Sequence, residues 1–213
     1  MLNIKTFEVN PLHENCYVVS DETKECVIID CGAFTPEEQR DIIEYITCEN
    51  LKPKRLIATH GHFDHNLGID AMYKAFGMKL ELHSGDERLV RDIKEQAGTM
   101  CGIMIDFTPQ IGGFLNGNDE ILVGSHKLKV IATPGHSMGG LCYYCEEENV
   151  LFTGDTLFRL SIGRTDLPGG SMFMIINSLR YLCQLPDGVT VYPGHGPQTE
   201  LGYEVARNPY LDR

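Results

Sequence analysis

Residues 2–9, 16–20 and 26–30 are rich in apolar and β-branched side chains and are separated by turn residues, which predicts three strands. Thr35-Pro36-Glu37-Glu38 then has the form of a helix start: a capping hydroxyl, proline at the first position and acids in the first turn. The helix is expected to reach about Cys48 and to stop before Lys52-Pro53. Arg55 to Thr59 (RLIAT) is a short buried strand that runs into the polar cluster HGHFDH, followed by a helix to about residue 76 closed by Gly77. LELHS predicts another strand, and Asp86 to Gln96 another helix. In the second half, 121–123, 127–133, 141–144, 150–153 and 189–192 read as strands. Ser171 caps a helix to about Cys183, and a short helix follows Thr199. This alternation is that of an α/β protein with two sheets covered by helices, and 213 residues without a linker suit one domain.

Composition narrows the setting. The chain is 42% hydrophobic and 23% charged, as folded globular proteins are. No run approaches the roughly 18–20 apolar residues that cross a bilayer, and MLNIKTFEVN lacks the parts of a signal peptide, so a cytoplasmic protein is expected. The net charge of −12 disfavours nucleic acid and anionic membranes as partners. The eight cysteines are scattered and are expected to be reduced. Cys142 and Cys145 stand three apart on a strand, so their side chains should face opposite ways and not chelate.

Four strands end alike. RLIAT runs into His60, KVIAT into Pro134-Gly135-His136, VLFT into Gly154-Asp155 and VTVY into Pro193-Gly194-His195. Loops converge, and ligands gather, at the carboxyl ends of strands in α/β folds. In His60-Gly61-His62-Phe63-Asp64-His65, the first two histidines point the same way if the segment is extended, while Asp64 and His65 belong to the turn entering the next helix. Six consecutive residues do not easily wrap one tetrahedral ion with all four side chains. Two adjacent ions can each take two of them, one later histidine and a share of a bridging carboxylate. Imidazole with carboxylate suits zinc, and iron, manganese, cobalt and nickel accept the same donors. His13, His83 and His126 lack such neighbours and read as surface or hydrogen-bonded structural residues. Tyr143, Tyr144, Phe158 and Met172 fit core packing better than a substrate cleft.

THGHFDH, TPGHS around His136, TGDTLF around Asp155 and YPGHG around His195 together resemble the motifs of the metallo-β-lactamase superfamily, over essentially the whole chain. The resemblance implies an αββα sandwich, two mixed sheets flanked by helices, as one domain over residues 1–213 with the site along one edge. It implies that His60, His62 and His136 hold one divalent ion, that Asp64, His65 and His195 hold another, and that Asp155 bridges them. The catalytic carboxylates are then Asp64 and Asp155. Asp30, in Asp-Cys-Gly, either supports these ligands from behind or is a simple turn residue.

GDTLFRLSIGRTDLPGG and the ending PGHGPQTELGYEVARNPYL are similar to the short glyoxalase II-like, or hydroxyacylglutathione hydrolase-like, enzymes. In glyoxalase II a lysine of the matching loop contacts the glutathione carboxylate, and Arg164 stands at its place. Arg164 either grips that carboxylate through two hydrogen bonds or pairs with Asp166 and shapes the loop. Two departures weaken glutathione recognition: the tyrosine that the family places two residues after its lysine is Asp166 here, and the chain stops before the helical C-terminal glutathione-binding domain of full-length glyoxalase II.

The expected cofactors are two divalent metal ions, zinc first, with iron or manganese as alternatives. Together they would generate a hydroxide nucleophile at neutral pH, polarise a carbonyl and steady the oxyanion. No separate general acid is evident, which favours a thiolate leaving group. The expected reaction is hydrolysis of a small-molecule acyl thioester such as S-2-hydroxyacylglutathione. The alternatives are a mononuclear-iron persulfide dioxygenase using residues like His60, His136 and Asp155, a β-lactamase, and a hydrolase of another ester, lactone or phosphodiester.

Overall fold

The computed structural model describes residues 1–211 and pairs most of its strands into two sheets. The first sheet holds β1 (Asn3–Val9), β2 (Glu14–Ser20), β3 (Glu25–Ile29), β4 (Lys52–Ile57), β5 (Leu80–Leu82) and β6 (Ile111–Phe114), in that order. β1 to β3 are antiparallel neighbours, and β3 to β6 run parallel. The second sheet holds β7 (Glu120–Val123), β8 (His126–Ala132), β9 (Leu141–Cys145), β10 (Val150–Gly154), β13 (Thr190–Pro193) and β14 (Thr199–Glu200). Its order is β14-β13-β10-β9-β8-β7, with β10 and β13 parallel. A small ribbon of β11 (Leu157–Phe158) and β12 (Ser161–Ile162) stands beside it.

Alternation along the strands builds the layers. In β2, Tyr17 and Val19 face the core between the sheets, where they meet Leu128, Tyr143 and Phe152 of the second sheet. Cys16 and Val18 point the other way, onto Ile42 and Ile46 of α1 (Pro36–Cys48) and Ile69 and Met72 of α2 (Ile69–Phe76). In β9, Tyr143 and Cys145 face the central core while Cys142 and Tyr144 pack outward under Ile175 and Leu179. The expected opposition of Cys142 and Cys145 therefore holds. α5 (Met172–Leu182) and α6 (Leu201–Arg207) cover that outer face, while α3 (Glu87–Arg91) and α4 (Ile93–Cys101) lie at the side. This is the expected αββα sandwich. No helix among the described residues is long and apolar enough to cross a membrane.

Local signals set most boundaries. Thr35 Oγ1 accepts the Glu38 N–H while the Glu38 carboxylate accepts the Thr35 N–H, a complete capping box that starts α1 where expected. Gly77 ends α2 in the left-handed region, as expected.

Three expectations are corrected. The helix after HGHFDH is not continuous. A single 3-10 turn spans Phe63–His65, and α2 begins only at Ile69. Asn66 interrupts it by donating to the carbonyls of His60 and His62. The helix expected over 86–96 breaks at Asp92 into α3 and α4, and α4 continues to Cys101. Strand β6 was not expected, because Ile111-Gly-Gly-Phe114 lacks a β-branched pattern. Its Gly112 is required by packing, since a Cβ there would lie 2.8 Å from that of Lys79.

Candidate metal centre

The C-terminal ends of β4, β8, β10 and β13 deliver all seven of the expected donors to one edge of the sandwich. His60, His62 and His136 form one group whose donor atoms lie within 4.8 Å of one another, and Asp64, His65 and His195 form a second on the same criterion. Asp155 lies between them: Oδ1 is 3.3 Å from His65 Nε2 and Oδ2 is 3.5 Å from His136 Nε2. His195 Nε2 is 3.3 Å from both Asp64 Oδ2 and His65 Nε2. Donors at 2.0–2.1 Å around a tetrahedral ion stand roughly 3.3 Å apart, so these spacings fit such ions.

Partners on the far side of each ring fix which nitrogen faces the centre. His65 Nδ1 is 3.0 Å from Asp30 Oδ2, His136 Nδ1 is 2.7 Å from the Arg164 carbonyl and His195 Nδ1 is 3.0 Å from the Leu12 carbonyl. Thr59 donates its hydroxyl proton to Asp30 Oδ2 at 2.6 Å, so its oxygen is free to accept from His60 Nδ1 at 3.1 Å. Each of these four rings thereby turns Nε2 inward. His62 is reversed, with Nδ1 facing His136 Nε2 at 2.8 Å. Two lone pairs at that distance need a cation or a proton between them.

Buried atoms point to the same requirement. His60 Nε2 and Asp155 Oδ1 are buried and make no hydrogen bond, a cost that coordination to a cation removes. Burial, reinforced by neighbouring imidazoles, holds His60 well below its ordinary pKa and lowers His62 to about 4, so both are neutral at neutral pH. Burial opposes charge on Asp155, but His65, His60 and His136 outweigh it and hold the carboxyl well below the usual range. On His65 burial opposes protonation, yet Asp155, Asp64 and Asp30 carry it well above its ordinary value. The carboxylates around His65 therefore attract positive charge. Gly194 leaves room for them, because a Cβ there would stand 2.4 Å from Asp155 Oδ1 and 2.6 Å from His65 Cε1.

The remaining expectations resolve residue by residue. Asp30 lies behind the donors as expected, taking the Thr59 N–H and hydroxyl, both at 2.6 Å, besides His65. The Arg164 guanidinium is held by Asp166 through two hydrogen bonds of 2.8 and 2.7 Å, while its carbonyl orients His136. His126 is buried between Asp21 and Glu148, and His83 caps the Gly85 N–H. His13 bonds Glu8, and its carbonyl lies 3.2 Å from His195 Nδ1. Tyr143 and Tyr144 are core residues, whereas Met172 is half exposed and not packed as expected. Phe158 is partly buried, its ring 6.2 Å from that of His195.

Two buried acids were not anticipated. Asp86 accepts hydrogen bonds from the Gly61 N–H, the Ser137 hydroxyl and the Gly139 N–H, at 2.9, 2.6 and 2.7 Å. It thus ties the His60–His62 segment to the loop after His136. Glu14 accepts the Gly32 N–H at 3.1 Å and places Oε1 3.8 Å from His65 Nδ1. Asp86 follows His83-Ser84-Gly85 beyond β5 but reads as a helix start, and Glu14 opens β2 rather than ending a strand, so neither was marked as a donor.

The chain's likeness to known proteins agrees with this centre. It is 34% identical over 215 residues to the hydroxyacylglutathione hydrolase GloC of Haemophilus influenzae, covering 99% of each chain. Its fold matches the B3 metallo-β-lactamase BLEG-1 with a TM-score of 0.90 at 33% identity, over 99% of this chain and 100% of that one. It matches TTHA1623, solved in a di-iron-bound form, with a TM-score of 0.87 at 34% identity, over 97% and 100% of the two chains. The family model of the metallo-β-lactamase superfamily matches residues 9–195, from the end of β1 to the last of the seven donors, and the chain belongs to that superfamily.

Proposed function

We propose that the protein is a dinuclear metal-dependent hydrolase of acyl thioesters, with S-2-hydroxyacylglutathione as the reference substrate. The observation that carries this reading is the pair of donor groups, His60/His62/His136 and Asp64/His65/His195, with Asp155 between them. On this reading those residues would hold two divalent ions, with the Asp155 carboxylate placed between the two groups. When bound, two such ions supply Lewis acidity and lower the pKa of water toward neutrality. Zinc suits the imidazole and carboxylate donors, and the di-iron form of TTHA1623 keeps iron in view.

The chain's own groups then hold and orient. Asp30 and Thr59 fix His65 and His60, the Arg164 carbonyl fixes His136, and the Leu12 carbonyl fixes His195. In the reaction a water oxygen bonds to the carbonyl carbon, the carbon–sulfur bond breaks, the sulfur leaves as thiolate, and the water's two protons pass to solvent as the product becomes a carboxylate. Asp30 is engaged by Thr59 and His65, Asp86 by its three donors and Arg164 by Asp166, while Glu14, whose Oε1 makes no hydrogen bond, is fully buried behind His65. A leaving group that departs without taking a proton suits this surrounding best. A thiol, with an ordinary pKa near 8.5, leaves as its anion far more readily than an alcohol or amine. A glutathione carboxylate would have to share the Arg164 guanidinium with Asp166, which holds its Nε and Nη2.

The test combines elemental analysis with a substrate panel on metal-loaded protein. Thiol release from lactoylglutathione or another acyl thioester, with two ions per chain, is expected. One iron per chain with oxygen uptake on glutathione persulfide, or nitrocefin turnover without thioester turnover, would replace this reading.

A further inference from the structure

A groove of about 610 Å³ opens beside the candidate metal centre, with His62 in its wall. Leu89 and Met100 of the α3–α4 arm line it together with Met138, Leu167 and Pro168. Met100 and Met138, which both line it, are each about half exposed, at 47% and 51%, an unusual placement for flexible apolar side chains. Acids outnumber cations at this groove. Asp86 has its three donors, and Arg88 pairs with Asp92 at 3.3 Å. The remaining charge at the rim, Glu95, is negative.

From this geometry we infer that the groove binds an apolar chain attached to the scissile group, so the preferred substrates are thioesters with an extended alkyl part and no charge along it. This rests on the thioester-hydrolase reading. A glutathione moiety carries two carboxylates, which would meet Asp86, Asp92 and Glu95 at a groove whose one lining arginine, Arg88, is turned to Asp92. A methylene taken from water into such a wall is worth about a three- to fourfold gain in affinity.

Metal-loaded protein is assayed on two series: N-acetylcysteamine thioesters from acetyl to octanoyl, and acetyl thioesters of alkanethiols from ethyl to hexyl. kcat/KM is expected to climb about three- to fourfold per methylene in one series until the groove is filled. The series that climbs tells whether the acyl or the thiol part lies there. Lactoyl-N-acetylcysteamine is expected to outrun lactoylglutathione at least tenfold, and Met100→Asp and Met138→Asp should each flatten the slope. A flat profile in both series, a preference for the glutathione thioester, or a slope unchanged in both variants overturns the inference. If no thioester is cleaved, the hydrolase reading fails by itself. The groove is then judged by calorimetric binding of butyrate, hexanoate and octanoate to the metal-loaded protein: the same rise per methylene supports it, and equal affinities refute it.

Discussion

The Asp86 carboxylate takes the Gly61 N–H at 2.9 Å and so clamps the main chain between His60 and His62. The same carboxylate holds Ser137 and Gly139 on either side of Met138, just after His136, so one acid sets the spacing of three candidate donors. Asp86→Ala leaves two buried main-chain N–H groups unpaired. Hydrogen bonds to a charged group contribute roughly 1.5–3 kcal/mol each, though not additively, so a loss of about 3 kcal/mol in unfolding free energy is expected. Metal bound by His60, His62 and His136 should weaken in parallel. Denaturant titration and metal analysis of the variant check both; unchanged stability would show that the clamp is not a structural link.

Gly194 and Gly196 flank His195 and make opposite demands. A Cβ at 194 would collide with Asp155 and His65, whereas one at 196 meets nothing within 4 Å and is opposed only by its φ of +75°. Gly194→Ala is expected to abolish metal binding at the second group and with it turnover. Gly196→Ala should cost about 1–2 kcal/mol of stability and keep both ions. Equal metal content in the two variants would contradict the packing argument.

The thiols divide by burial. Cys48 and Cys101 are exposed, and the other six cysteines are buried thiols outside any disulfide. Burial pushes the thiol of Cys26 up to about 12 and that of Cys142 up to about 11, so neither is a thiolate near neutrality. Ellman's reagent at pH 8 should therefore titrate two thiols in the native protein and eight in denaturant. Rapid reaction of more than two would mean that the sandwich opens far more easily than its packing implies.

Acid should loosen the contact between two turns of the opposed sheets. Asp21, after β2, accepts from Thr23 and from both the N–H and hydroxyl of Ser125, between β7 and β8. Burial opposes its charge, but these donors outweigh it and hold the carboxyl well below the usual range. A depressed folded value stabilises the fold above the unfolded pKa near 3.9 and is lost as pH falls through that value toward the folded one. The melting temperature should thus exceed that of Asp21→Asn at pH 7, and the gap should shrink steadily below about pH 4. A gap as wide at pH 2 as at pH 7 would assign the effect to something other than this ionisation.

How much of this was legible follows from where each signal lies. The donors announced themselves because β4, β8, β10 and β13 each break from apolar residues into His or Asp within a few positions. The layers were legible because Tyr17 against Cys16 and Tyr143 against Cys142 alternate with a period of two. Asp86 was not, since its partners are two main-chain N–H groups and a hydroxyl that only folding brings near. Asn66 broke the expected helix for the same reason, by bonding carbonyls four and six residues back. The choice of Arg164 between ligand and Asp166 depends on loop geometry that spacing does not encode. The groove between Leu89, Met100, Met138 and Leu167 joins segments far apart in the chain.

The most direct measurement is the metal content of the purified, reconstituted protein beside that of Asp155→Ala. Two equivalents of divalent ion in the parent, with loss of metal and of all thioester turnover in the variant, is the predicted result, because Asp155 stands between both donor groups. A parent that saturates at one ion, or a variant that keeps two and still turns over, would contradict the shared centre on which the proposed chemistry depends.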